Sequence, residues 1–197
     1  TPLWSVIFAA CTVVAYIGLF FVCNFKVLSP GANDNLTGVF VAVSALKCLK
    51  ESGIRYENTE VCALLTGSEE AGLRGATAFT KRHKGENKDV ETYIIAFDTM
   101  RDYDYMTIYH RDMTGMVKNS PEVVALIDEA CKDPDVNHPL PHGTVPFGAS
   151  DAAAFSRGGF KAAAVAGQNP KYAPYYHNRR DTPDQMIPET FALGLDI

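Results

Sequence analysis

The sequence predicts an α/β protein: a three-layer α/β/α sandwich around a mixed, mostly parallel central sheet, with an apolar helix ahead of it. Two observations carry this expectation. Short apolar runs of strand length, residues 61–66 (VCALLT), 93–97 (YIIAF) and 161–166 (KAAAVA), alternate with longer segments of helical period. Runs that are apolar at every position fit strands buried on both faces, and strands separated by helices build such sheets. The second observation is that every charge lies after Phe25.

The elements follow in order. Residues 1–25 contain no Asp, Glu, Lys, Arg or His. A membrane helix needs about 20 apolar residues to cross a hydrocarbon core of about 30 Å, and residues 6–25 supply that length, with Trp4 at one interface and Lys26 closing the other. This gives a membrane association through residues 4–25 and a membrane localisation; two buried strands are the alternative. No basic segment or small-residue cleavage site favours a cleaved signal. The division expected is therefore 1–25 as a transmembrane segment and 26–197 as a folded domain cut at both ends.

Residues 28–33 (LSPGAN) read as a turn-rich entry loop. Val39, Val43 and Leu46 place a helix over 37–50. The run 61–66 is expected to be a buried strand ending at Gly67-Ser68-Glu69-Glu70, followed by a helix over 73–83 and a solvated loop over 84–89. A strand over 93–97 ends at Asp98, and 106–110 forms a third. Ser120 and Pro121 open a helix to Cys131 as N-cap and first helical residue. A loop over 133–149, a short helix over 150–157, a strand over 161–166 and a long loop over 168–184 complete the chain.

At 47% hydrophobic and 21% charged residues the composition is globular. A net charge of −5 argues against a nucleic-acid partner, since such binders carry basic patches. Five cysteines without a CxxC pair read as reduced, mostly buried small hydrophobes.

Chemistry is carried by acidic residues at strand ends, where α/β sheets collect their sites. Glu69 and Glu70 follow one strand, Asp98 ends the next, Asp34 precedes a helix, and His177 lies in a loop beside Tyr175 and Tyr176. Carboxylates and a histidine arriving from separate loops suit zinc. Taken singly, each is more often a solvated loop residue. Gly148-Ala149-Ser150-Asp151-Ala152 lacks the second glycine of a serine-hydrolase nucleophile elbow.

Five segments in order resemble the co-catalytic zinc aminopeptidases, the group of bacterial leucyl aminopeptidase and aminopeptidase Y in peptidase family M28. They are Gly31-Ala32-Asn33-Asp34-Asn35 with Thr37-Gly38, Thr66-Gly67-Ser68-Glu69-Glu70-Ala71-Gly72-Leu73-Arg74-Gly75, Phe97-Asp98-Thr99-Met100, Ser150-Asp151, and Tyr176-His177 with Asp181-Thr182 and Asp184. The resemblance implies a zinc-peptidase fold and a peptide substrate hydrolysed from its N-terminus through a metal-activated water. It implies Asp34 as a bridging ligand, Glu70 and His177 completing one zinc, Asp98 on the other and Glu69 as general base. Asp151, Asp181 and Asp184 would orient ligands or loops, with simple loop capping an equal alternative. A cis peptide at Asp34-Asn35 is implied as well.

One ligand of the family pattern is missing: a histidine in an H-x-D motif upstream of Asp34, whereas no histidine here precedes His83. The expectation is that the chain begins after that motif, so that two zinc ions belong to the complete protein and one to this stretch, inactive alone. His83, His110, His138 and His142 read as surface or loop residues; His138 and His142 could line the pocket mouth. Two other functions stay open, a single-zinc aminoacyltransferase similar to glutaminyl cyclase and a catalytically silent ectodomain.

Overall fold

In the computed structural model, residues 2–22, 27–86 and 89–197 are described. The predicted layers form around five strands: β1 (Tyr93–Met100), β2 (Met106–Asp112), β3 (Val117–Lys118), β4 (His142–Thr144) and β5 (Lys161–Gly167). β1 pairs with β5 and β2 with β4 in parallel; β2 runs antiparallel to β5 and β3. The sheet is thus mixed, with its longest pairing, β1–β5, parallel, as the sequence predicts.

Alternation along β5 shows how the sheet is sandwiched. Ala163 and Val165 join a core with Val41 of α2 (Thr37–Ser52), Val123 and Ile127 of α4 (Pro121–Cys131) and Leu193 of α6 (Pro188–Asp196). Ala162 and Ala164 face the other way, against Ala76 of α3 (Arg74–His83) and Ala152, Ala153 and Phe155 of α5 (Asp151–Gly158). A period of two puts neighbouring side chains on opposite faces, and both faces of β5 are buried.

α2 comes unusually close to β1. A Cβ on Gly38 would stand 2.4 Å from the Phe97 carbonyl oxygen and 2.6 Å from Asn35 Oδ1. Both neighbours are fixed, one in a strand and one in a hydrogen-bonded loop. Gly38→Ala is expected to lower stability by about 3 kcal/mol through overpacking, read from the urea midpoint.

Four expectations need correction. Residues 61–66 form no strand: Val61, Leu64 and Leu65 are 44%, 41% and 55% exposed. Among the described residues no strand pairs with this segment, and an extended apolar run becomes a sheet strand only where a neighbour takes its backbone hydrogen bonds. The 133–149 loop contains the short strand β4, and β3 interrupts the stretch before α4. Third, of the described cysteines only Cys131 is buried, while Cys11, Cys48 and Cys62 are exposed and unpaired. Fourth, β1 runs three residues and β2 two beyond their predicted ranges, so Asp98 lies inside β1. Residues 87–88 of the 84–89 loop, with 23–26 of the apolar segment and its Cys23, lie outside the described residues.

α1 (Leu3–Val22) is a single helix, not two strands. Its 18-residue window from Leu3 to Phe20 has a mean hydropathy of 2.1 and none of it is buried against the rest of the chain. It is long and apolar enough to cross a membrane; a signal sequence meets the same description.

Candidate metal centre

The loop ahead of α2 is built by its own side chains. Gly31 takes a left-handed φ of 73°, and Ala32–Leu36 forms one irregular turn with a cis peptide between Asp34 and Asn35. Asn35 ties this turn to the end of β1: its Nδ2 donates to the Phe97 carbonyl (2.7 Å), and its Oδ1 accepts from the Gly38 and Thr99 amides (both 3.1 Å). The Thr37 hydroxyl donates to the Asn33 carbonyl (2.7 Å) and accepts from the Met100 amide (3.0 Å).

From the far end of the chain, Asp181 grips the same turn. Fully buried, it accepts from the Asn33 amide (2.8 Å), Asn33 Nδ2 (2.7 Å) and the Asp34 amide (3.0 Å). Hydrogen bonds to a charged group are worth about 1.5–3 kcal/mol each. Asp181→Ala is expected to destabilise the fold by about 3 kcal/mol and to weaken metal binding about 10–100-fold by releasing Asp34; thermal melting and a zinc titration read the two effects separately.

Glu69 and Glu70 sit in a turn that docks onto α3. The Leu73 amide donates to the Glu69 carbonyl (2.7 Å), and the Gly75 amide to the Gly67 carbonyl (2.9 Å). A Cβ on Gly75 would stand 2.4 Å from that carbonyl oxygen, which accounts for the glycine in the motif. Ahead of the turn, the Thr66 hydroxyl donates to Asp151 Oδ2, while Asp151 Oδ1 is buried without a partner. Asp98 pairs in register with Ala166 and faces the cavity by strand alternation with Ala96; the β1–β5 register breaks just after it, at Thr99, whose φ is 46°. Ser68, Leu73 and His177 also hold positive φ, at 58°, 55° and 54°. For non-glycine residues such backbone conformations are uncommon and gather at functional sites.

Asp34, Glu70 and His177 meet. Their ligand atoms all lie within 4.8 Å of one another, with His177 Nε2 3.1 Å from Asp34 Oδ2 and 3.0 Å from Glu70 Oε1. Asp98 and Glu69 line the same cavity, of about 1110 Å³, outside that trio. Burial, then Asp98, then Glu70, pushes the Glu69 carboxyl up to about 8; burial, then Asp34, pushes Asp98 up to about 7. Glu70 is raised by burial and Asp34, against the pull of His177, and His177 is raised by its hydrogen bond to Asp34. These groups crowd negative charge around one point. Two carboxylates and an imidazole within reach of a common atom fit zinc, which takes N and O ligands at about 2.0–2.2 Å.

The remaining candidates are placed as follows. Asp181 supports the Asp34 turn and Asp151 holds the segment before Glu69. Asp184 is exposed and bonds its chain neighbours, the Thr182 and Gln185 side chains (2.9 Å to Gln185). Among the described residues no histidine but His177 lines the cavity. His142 pairs with Asp128 (2.9 Å), His138 meets Tyr103 and His83 bonds Glu86, so His138 and His142 do not reach the pocket mouth. Tyr176 stacks on His177, ring centroids 3.8 Å apart; it and Asn35 carry structure that the motif contains but spacing alone does not explain.

The model of peptidase family M28 matches residues 17–193, and the chain belongs to that family. A curated relative described as a probable leucine aminopeptidase of Arthroderma otae is 29% identical over 173 residues, 84% of this chain and 45% of that protein. An aminopeptidase from Aneurinibacillus sp. strain AM-1 superposes with a TM-score of 0.70 at 25% identity over 86% of this chain and 38% of the other. BSAP, a zinc aminopeptidase from Bacillus subtilis, shares the fold at a TM-score of 0.66 and 21% identity, over 85% and 41%. The chain spans less than half the length of each of these relatives.

Proposed function

We propose that this chain carries the metal-binding part of a zinc aminopeptidase that hydrolyses N-terminal residues from peptides. The convergence of Asp34, Glu70 and His177, with Glu69 beside them in one cavity, carries the reading. Asp34, Glu70 and His177 would hold one zinc, and Asp34 and Asp98 would serve a second in the complete protein. Zinc bound there would polarise the scissile carbonyl and supply an acidified water. Glu69 takes a proton in the first half of the reaction and returns it to the leaving amine in the second. Its carboxyl, raised toward neutrality by burial and Asp98, is matched to both transfers. The four carboxylates Asp34, Glu69, Glu70 and Asp98 give the cavity a negative field that attracts a peptide's N-terminal ammonium. We also propose that α1 attaches the protein to a membrane, supported by its length and by the unburied apolar window from Leu3 to Phe20.

The test is made on the zinc-loaded full-length protein. Release of nitroaniline from leucine p-nitroanilide, lost on chelation and restored by zinc, is the expected result. Pyroglutamate formation from an N-terminal glutamine peptide without amine release would replace this reading with the cyclase one. No turnover by a metal-replete protein would leave the silent ectodomain.

A further inference from the structure

Resting on the peptidase reading, we propose that this site prefers peptides of about five residues that end in a free carboxylate, held by a basic cluster at the far end of the cleft. The cavity does not stop at the metal centre. It continues along α3 and α5, both of which begin there: α3 after Glu70, α5 at Asp151 behind Thr66. Thr77, Lys81 and Lys84 line it at helical spacing from α3, and Ala154 and Arg157 from α5. The helices are in close contact at that end, where a Cβ on Gly158 would stand 1.8 Å from Thr80 Cγ2. Lys81, Lys84 and Arg157 therefore gather at one place, all exposed and, among the described residues, none in an ion pair. The Thr80 hydroxyl, buried there without a hydrogen-bond partner, adds an uncommitted polar group to the same wall.

The cleft is thus bipolar, with carboxylates at one end and cations at the other. An extended peptide has the complementary polarity: ammonium first, carboxylate last. From Leu73 to Lys84 a helix rises roughly 16 Å at 1.5 Å per residue, which an extended peptide spans in about five residues at 3.3 Å each. A dipeptide carboxylate falls short of the cluster. Charge complementarity at an exposed site is modest and screened by salt, so the expected preference is about fivefold at low ionic strength.

The test is binding, which does not depend on turnover. In the zinc-loaded full-length protein carrying Glu69→Gln, calorimetry compares Leu-Gly-Gly-Gly-Gly with its C-terminal amide. The acid is expected to bind about fivefold more tightly, with the advantage fading in high salt and vanishing in Lys81→Gln/Lys84→Gln/Arg157→Gln. The dipeptide Leu-Gly should show no such advantage over its amide. Equal affinity of the pentapeptide acid and amide, an advantage that survives the triple substitution, or no measurable binding would each overturn the proposal. Leucine p-nitroanilide turnover by the unsubstituted protein judges the peptidase reading separately, because that substrate carries no carboxylate.

Discussion

Glu69→Gln is expected to lower kcat of the full-length zinc enzyme by about a thousandfold while zinc content stays the same. Glutamine keeps the size and most of the polarity of the side chain but cannot accept and return a proton. Metal content should hold because Glu69 lies outside the trio whose ligand atoms converge. It is adjacent to Glu70 in sequence, yet in the turn that follows the left-handed Ser68 and docks onto α3 only Glu70 joins the trio. Steady-state kinetics with zinc analysis on the same preparation checks this. Activity within tenfold of the unsubstituted enzyme would remove Glu69 from the role of base, and a parallel loss of zinc would make it a ligand instead.

Metal-free protein is expected to lose stability steadily as pH rises from about 4 to 8, and zinc is expected to restore it most at the upper end. In the fold, Glu69 and Asp98 titrate at about 8 and 7, against 4.5 and 3.8 for the free groups. Between these limits the native state holds protons that the unfolded chain has already released. The contribution is therefore full below the free values and drains away as pH climbs through the folded ones. Glu70 and His177 are raised as well, so they act in the same direction. Zinc bound there would offset the burial, and with it the repulsion, that raises the carboxyls. At a hundred times its dissociation constant a ligand adds about 2.7 kcal/mol, roughly 5–10 °C for a domain of this size. Melting curves at pH 5 and 8, with and without zinc, measure it. A metal-free melting temperature that is flat or rises over this range would contradict the carboxylate crowding.

Much of the architecture was legible because hydrophobic period and caps are local. Pro121 behind Ser120 opens α4 at that residue, and the apolar runs of β1 and β5 pair with each other. What escaped depends on partners distant in sequence. Residues 61–66 have the composition of a buried strand, but composition cannot supply a neighbour. β3 and β4 span two and three residues, too few to show a period. At the centre, Asp34, Glu70 and His177 stood out through their motifs, whereas Asp181 and Asp184 looked alike. Only the fold separates them, burying one under the Asp34 turn and leaving the other in solvent. The break in register at Thr99, just past Asp98, is one that nothing local announces.

The bonds from Asp181 to Asn33 and Asp34 join residues 148 and 147 positions apart. Closing a loop of that size carries a large entropic cost that must precede any gain from the contact. The Asp34 turn therefore locks only when the intervening sheet is already in place. His177 arrives on the same late segment. Folding is therefore expected to precede metal capture at this centre. During synthesis, the trio becomes complete only once His177, 143 residues after Asp34, has left the ribosome.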